Sequence, residues 1–325
     1  MSDMDNVFLT ACKNGQKGVV EAFVKKGGRN YNKRDQAGNT PLFYSAVRGA
    51  RDIVKLLLDN GADPQLANNE SAAPLHSVSK SGNKEIMKML VDAGADINFC
   101  DKFGKSPLIY TLQEGRTEAA KYLIGLGADP AIKDDEGHTA LDYATSRGLR
   151  DIIPLLKGEG ETRDSSGNTP LHLACFNGQT EVIGALLKSG SDRDALNDAG
   201  QTPLVIACMQ SNLAVAELLL KAGSDPNLVL LDGSGALHYA AAAGNHFVGK
   251  ALIQAGGSVN LRNQDGETPL VVAAMKGQND FTALLIEHEA DVNAVDNLEH
   301  SAMFYAAEGG YTEITEQLIA AGAEN

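Results

Sequence analysis

One segment of this chain recurs at a fixed interval. TPLFYSAVRG (40–49) is followed by APLHSVSKSG (73–82), SPLIYTLQEG (106–115) and TALDYATSRG (139–148). TPLHLACFNG (169–178), TPLVIACMQS (202–211), GALHYAAAAG (235–244), TPLVVAAMKG (268–277) and SAMFYAAEGG (301–310) continue the series. Seven of the eight steps are 33 residues and the other is 30. A period of this length means one supersecondary unit, too small to bury its own apolar face, stacked on its neighbours. The repeat therefore overrides the two-domain expectation that 325 residues would otherwise carry.

Each unit is legible residue by residue. Thr at the first position can cap a helix, and Pro at the next is pre-set for its first turn. Small residues (Ala46, Ala174, Ala207, Ala240, Ala273) let successive helices approach closely. Gly49, Gly82, Gly115, Gly178, Gly244 and Gly277 suit a left-handed cap. A second helix follows, with Leu and Ile at three-and-four spacing as in Val54-Leu57-Leu58. G-A-D and D-x-x-G (Asp35–Gly38, Asp101–Gly104, Asp134–Gly137) then form a protruding hairpin. An earlier unit beginning VFLTACKNGQ (7–16) precedes the series.

The period and the T-P-L-H-x-A signature resemble the ankyrin repeat family over essentially the whole chain. The resemblance implies an all-α fold: a solenoid of stacked helix-turn-helix units with protruding β-hairpin loops. We read a single solenoid, 1–325, of ten units. The N-terminal cap is 6–38, repeats 2–5 are 39–168 with 139–168 shortened, repeats 6–9 are 169–300, and the C-terminal cap is 301–325. Thr312, Glu313, Glu316 and Gln317 fit the polar outer face of a cap. The short unit carries Pro154 early in its second helix. It is either a local deletion absorbed by a loop or a bend separating repeats 1–5 from 6–10.

Charge divides at the same place. Residues 1–160 carry 21 Lys+Arg and 21 Asp+Glu; residues 161–325 carry 7 and 21, so the net −14 belongs entirely to the second half. That balance argues against non-specific nucleic-acid binding. No stretch approaches the roughly 18 apolar residues of a membrane span. The acidic start MSDMDNVFLTACKNG lacks a signal peptide's basic region. Four cysteines, three of them following Ala at equivalent positions, read as core residues in a reducing, cytoplasmic setting.

No catalytic or cofactor motif emerges, and we expect neither enzyme activity, cofactor nor metal. His76, His172 and His238 occupy the signature histidine, for which the resemblance implies a structural hydrogen-bonding role. His138, His246, His288 and His300 show no ligand spacing. Gly158-Glu159-Gly160 is half a phosphate-loop pattern and reads as the shortened turn. Asn293, and less closely Asn98 and Asn260, look like hairpin asparagines that asparaginyl hydroxylases modify in other ankyrin proteins, or serve simply to stabilise the turn.

Ankyrin proteins generally bind through the concave face. Seven residues past each anchor lie Val47, Lys80, Gln113 and Ser146, then Phe176, Met209, Ala242 and Met275. The second set is uniformly apolar, and Met suits adaptable binding surfaces. Hairpin tips of the same repeats add Asp198, Leu231, Asp232, Asp265 and Glu267, an acidic rim around an apolar centre. Phe103 is a lone outlier in the neutral half. The apolar residues either bind a partner or pack against neighbouring helices; the acidic ones either steer a partner or solvate the surface. The expected function is a non-enzymatic interaction module, monomeric on its own, for a basic, partly apolar protein, as an inhibitor, neutralising subunit or adaptor. The alternative is a scaffold or spacer using its ends or convex side. One hairpin departs from the pattern: NLVLLDGSG (227–235) places Leu230 where the others have Asp or Asn. We expect that hairpin to form, with Leu228–Leu231 either covering a neighbouring finger or extending the apolar stripe.

Overall fold

The computed structural model describes residues 3–27, 30–156 and 163–324. The chain divides into two compact units, Met1–Thr162 and Arg163–Asn325. Each repeats one plan: a short inner helix, a tight turn, an outer helix, and a finger-like loop leading to the next inner helix. In the first unit the inner helices Pro41–Arg48, Pro74–Ser81 and Pro107–Gln113 pack in series. In the second, Pro170–Phe176, Pro203–Met209, Ala236–Ala243, Pro269–Met275 and Ala302–Glu308 do the same.

Local chemistry sets where each inner helix begins and ends. Thr40 Oγ1 accepts the Phe43 N–H at 3.1 Å, satisfying one donor that has no partner inside the helix. Thr202, Thr268 and Ser301 accept in the same way from Val205, Val271 and Phe304. The helix stops at a left-handed residue, Gly49 at φ 76° in one repeat and Ser211 at φ 54° in another. Ser211 carries a Cβ where the backbone favours none.

The core lies between inner and outer helices. Ala174, Ala207, Ala240 and Ala273 are fully buried, as are Ile183, Leu219, Leu252 and Leu285. Removing a Leu side chain from water contributes roughly 1.5–3 kcal/mol, so each added repeat stabilises its neighbours. Burial pushes the thiols of Cys12 and Cys208 up to about 12, and that of Cys175 also upward. These cysteines are protonated packing groups at neutral pH.

The fingers are tied by hydrogen bonds rather than by strands. Asp101 Oδ1 accepts the N–H groups of Phe103 and Lys105, and Asp134, Asn197 and Asn263 hold their own turns identically. Successive fingers are then joined: Asn69 N–H donates to Ala37 O, Lys102 to Glu70, Asp198 to Ser166, and Gln264 to Asp232. Among the described residues only Val295 and Ser301 form a β-bridge, so the expected β-hairpins are turn-closed loops. Their arms are too short for a ladder, because the Asx turn consumes the backbone donors.

In the fifth repeat the second helix runs as a 3-10 turn, Arg150–Ile152, followed by one α turn, Ile153–Leu156. Pro154 supplies the reason, since it has no N–H to give to Arg150 O. Gly158-Glu159-Gly160 lies outside the described residues.

Candidate functional site

One open groove of the second unit holds about 740 Å³. Its floor is Leu173 and Phe176 from one inner helix and Ile206 and Met209 from the next. Its wall is the finger edge: Ser165, Ser166 and Asn168, then Asn197, Asp198, Ala199 and Gln201. Two inner helices stacked side by side create the floor, and the two fingers joined by the Asp198–Ser166 bond create the wall.

Phe176 is 63% exposed and Met209 46% exposed, so neither is spent on packing between helices. The wall is a row of carboxamides. Asn197 Nδ2 donates to Asn168 Oδ1 at 2.9 Å and to Gln201 Oε1 at 3.3 Å. Gln201 Nε2 in turn donates to the Met209 sulfur at 3.4 Å, a weak acceptor. Asp198 is the groove's one acidic side chain, and no ion pair engages Asp198, Asp232, Asp265 or Glu267 among the described residues. The groove offers apolar contact, amide hydrogen bonding and one negative charge.

The sequence-derived residues divide accordingly. Phe176, Met209 and Asp198 line one groove. Met275 lies two repeats away and is half-buried. Asp265 is exposed on its finger, and Glu267 accepts Asn263 Nδ2 at 2.8 Å. Phe103 is 50% exposed in the first unit, with Lys102 Nζ 4.9 Å above its ring. Leu173, Ile206 and the row Asn168-Asn197-Gln201 were missed. Their signal was available: Leu173 and Ile206, like Asn168 and Gln201, stand one 33-residue repeat apart, and Asn197 directly precedes Asp198.

The irregular finger has an internal explanation. Leu230 is buried, while Leu231 is 72% exposed and lies over Gly200 of the preceding finger. A Cβ on Gly200 would come within 2.8 Å of Leu231 Cδ1. Asp232 performs the duty that Leu230 cannot: its Oδ1 accepts the Ser234 N–H at 2.9 Å, and its Oδ2 accepts the Tyr239 hydroxyl at 3.1 Å. In other repeats the tyrosine donates to the finger aspartate itself, as Tyr44 does to Asp35 and Tyr305 to Asp296. Partial burial raises the Asp232 carboxyl, but the Ser234 and Tyr239 bonds outweigh it and hold the group below the usual range.

The histidines are similarly explicit. His76, His172 and His238 accept the N–H of the helix anchor at Nδ1, each at 3.1 Å. Their Nε2 reaches the carbonyls of Lys105, Gln201 and Glu267 on the following finger. Each ring thereby ties two repeats together in its neutral form, and burial holds its pKa below the ordinary value. His138 needs a correction: Asp134, Glu136 and His138 gather with donor atoms within 4.8 Å. The turn brings alternate side chains to one side, which linear spacing did not reveal. Asp134 is already committed, however, to two backbone N–H groups and the Tyr143 hydroxyl. Asn98, Asn260 and Asn293 each accept an N–H from the next repeat, from Asp129, Asp291 and Glu324.

No helix among the described residues is long and apolar enough to cross a membrane. The family model described as "Ankyrin repeats (3 copies)" matches residues 2–68, 75–163, 155–229 and 237–325. A second, "Ankyrin repeats (many copies)", matches 46–91. The chain is 37% identical over 76 residues to a putative ankyrin repeat protein of fowlpox virus, covering 23% of this chain and 10% of the viral protein. It is 37% identical over 76 residues to the human transient receptor potential cation channel subfamily A member 1, covering 23% and 7%. It is 50% identical over 36 residues to human protein phosphatase 1 regulatory subunit 27, covering 11% and 23%. The matches thus span less than a quarter of each relative's length.

Proposed function

Since the chain belongs to the ankyrin repeat family, whose members are generally non-catalytic interaction modules, we propose that it binds a basic, partly apolar protein through the concave face of repeats 6–9. The observation that carries this reading is the groove of about 740 Å³ floored by Phe176 and Met209, with Asp198 unpaired at its edge. Exposed aromatic and thioether side chains beside a polar rim have the anatomy of an interface centre. The acidic second half adds long-range attraction for a cationic partner, which speeds encounter and selects against acidic proteins. An inhibitor, neutralising subunit or adaptor would each use such a surface, acting by occupation rather than by chemistry. One relative's description as a phosphatase regulatory subunit is compatible with that mode of action. Intracellular residence follows from the same reading, with the buried cysteines as unoxidised packing groups.

Phe176→Ala combined with Met209→Ala is expected to weaken the physiological partner's binding by about 2–4 kcal/mol, measured by calorimetry. Unchanged affinity would remove the groove from the interface.

A rival reading is a scaffold that associates through its last repeat. Phe304 is 41% exposed and Ile319 60% exposed there, beside the exposed Leu298. Light scattering across a concentration series separates the two, since self-association would raise the apparent mass.

A further inference from the structure

The groove does more than offer an apolar cavity; its rows continue along the second unit. Repeat equivalence makes this concrete. Ser166 and Ala199, which line the groove, are followed in the same row by Asp232 and Asp265. Asn168 and Gln201 are followed, two repeats past Gln201, by Glu267. Asp198 is followed by Leu231. The finger edge therefore reads acidic at the groove, apolar one repeat on with an acid already bonded to Ser234 and Tyr239, and acidic again two repeats on.

Three observations argue for an extended occupant. Inner helices packed side by side are about 8–10 Å apart, which an extended chain covers in about three residues. A helix would need roughly six or seven residues for the same step. Gln201 Nε2 has only a thioether as acceptor, so it can turn to a backbone carbonyl at little cost. An extended chain presents unpaired carbonyls and N–H groups along its edge, whereas a helix has already satisfied its own. Leu231 is 72% exposed on the route between the two acidic points, and the finger-to-finger bond found elsewhere in the series is missing there among the described residues.

Resting on the proposed binding role of this face, we infer that the occupant is an extended basic segment of a partner protein, in a three-residue register with the repeats. A cation of the segment meets Asp198, beside a large apolar side chain seated between Phe176 and Met209. An apolar residue three positions along covers Leu231. A second cation, six positions from the first, meets Asp265 and Glu267. Charge complementarity selects the segment, and the register selects its spacing.

The test is selection of a displayed random peptide library, about sixteen residues long, on the immobilised full chain. Enriched peptides should carry two Lys or Arg six positions apart with apolar residues between and beside them. Asp198→Lys should weaken the best peptide by about tenfold, and Glu in place of its first cation should restore binding. Thermal melts of each variant confirm that it remains folded. Basic residues without preferred spacing, or spaced about twelve apart as a helix requires, would overturn the register while leaving the groove as the binding surface. Failure of every selected peptide to depend on Phe176 or Asp198, while a folded partner does, would overturn the extended occupant. Insensitivity of peptide and partner alike to Phe176→Ala/Met209→Ala would remove the underlying binding role as well.

Discussion

Leu230 shows how one residue's loss is absorbed by another's gain. An Asp or Asn at that position would gather two N–H groups of its turn, as Asn263 does for Asp265 and Glu267. Leu230 is buried instead, and Asp232 takes up the Ser234 N–H and the Tyr239 hydroxyl. Asp232→Ala is accordingly expected to lower stability by about 1–2 kcal/mol, whereas Asp265→Ala should stay within about 0.5 kcal/mol. Comparison of their melting temperatures checks the contrast. Ser211 holds a left-handed conformation that costs a side chain roughly 1–2 kcal/mol, partly offset by the extra freedom glycine has when unfolded. Ser211→Gly should raise stability by about 0.5–1 kcal/mol in the same measurement.

At the scale of elements, the inner helices were readable because cap, proline and terminal glycine are local signals that the folded chain uses as they stand. The fingers were readable only in part. Their turn residues were evident, but the bonds between fingers depend on which atoms stacking brings together. The outer helix of the fifth repeat is the exception that local chemistry explains: Pro154 removes one bond and tightens the preceding turn. Pro154→Ala is expected to convert Arg150–Leu156 to continuous α-helix, raising the helical circular dichroism signal and stabilising the first unit by about 1–3 kcal/mol. No change in either quantity would mean that the shortened loop, rather than the proline, limits the helix.

Across the whole molecule, three buried histidines make stability depend on pH. Each has a pKa held below the ordinary 6.5 by burial, so the unfolded chain binds protons more readily than the folded one. Their contribution is present in full above about pH 6.5 and is lost as pH falls below it. Replacing all three with Gln, which can still hydrogen-bond, should flatten the decline of the urea midpoint between about pH 7.5 and pH 5. An equally steep decline in that variant would place the acid sensitivity in the carboxylates.

The sequence alone determined the period, the helix boundaries, the buried small residues and the uneven charge. Each of these follows from backbone preference or from side-chain polarity, and a linear string carries both. Only the tertiary structure decided that Phe176, Met209 and Asp198 share one groove while Met275 lies two repeats away, half-buried. It also decided that Asp232 is an internal hydrogen-bond acceptor, that Leu231 lies over Gly200, and that the inner-helix histidines clamp adjacent repeats. Repetition assigns equivalent positions to equivalent rows, but whether a row is open, filled or hydrogen-bonded depends on the volume and donors of the neighbours above and below. Those neighbours are about 33 residues away in the chain and become adjacent only when the repeats stack.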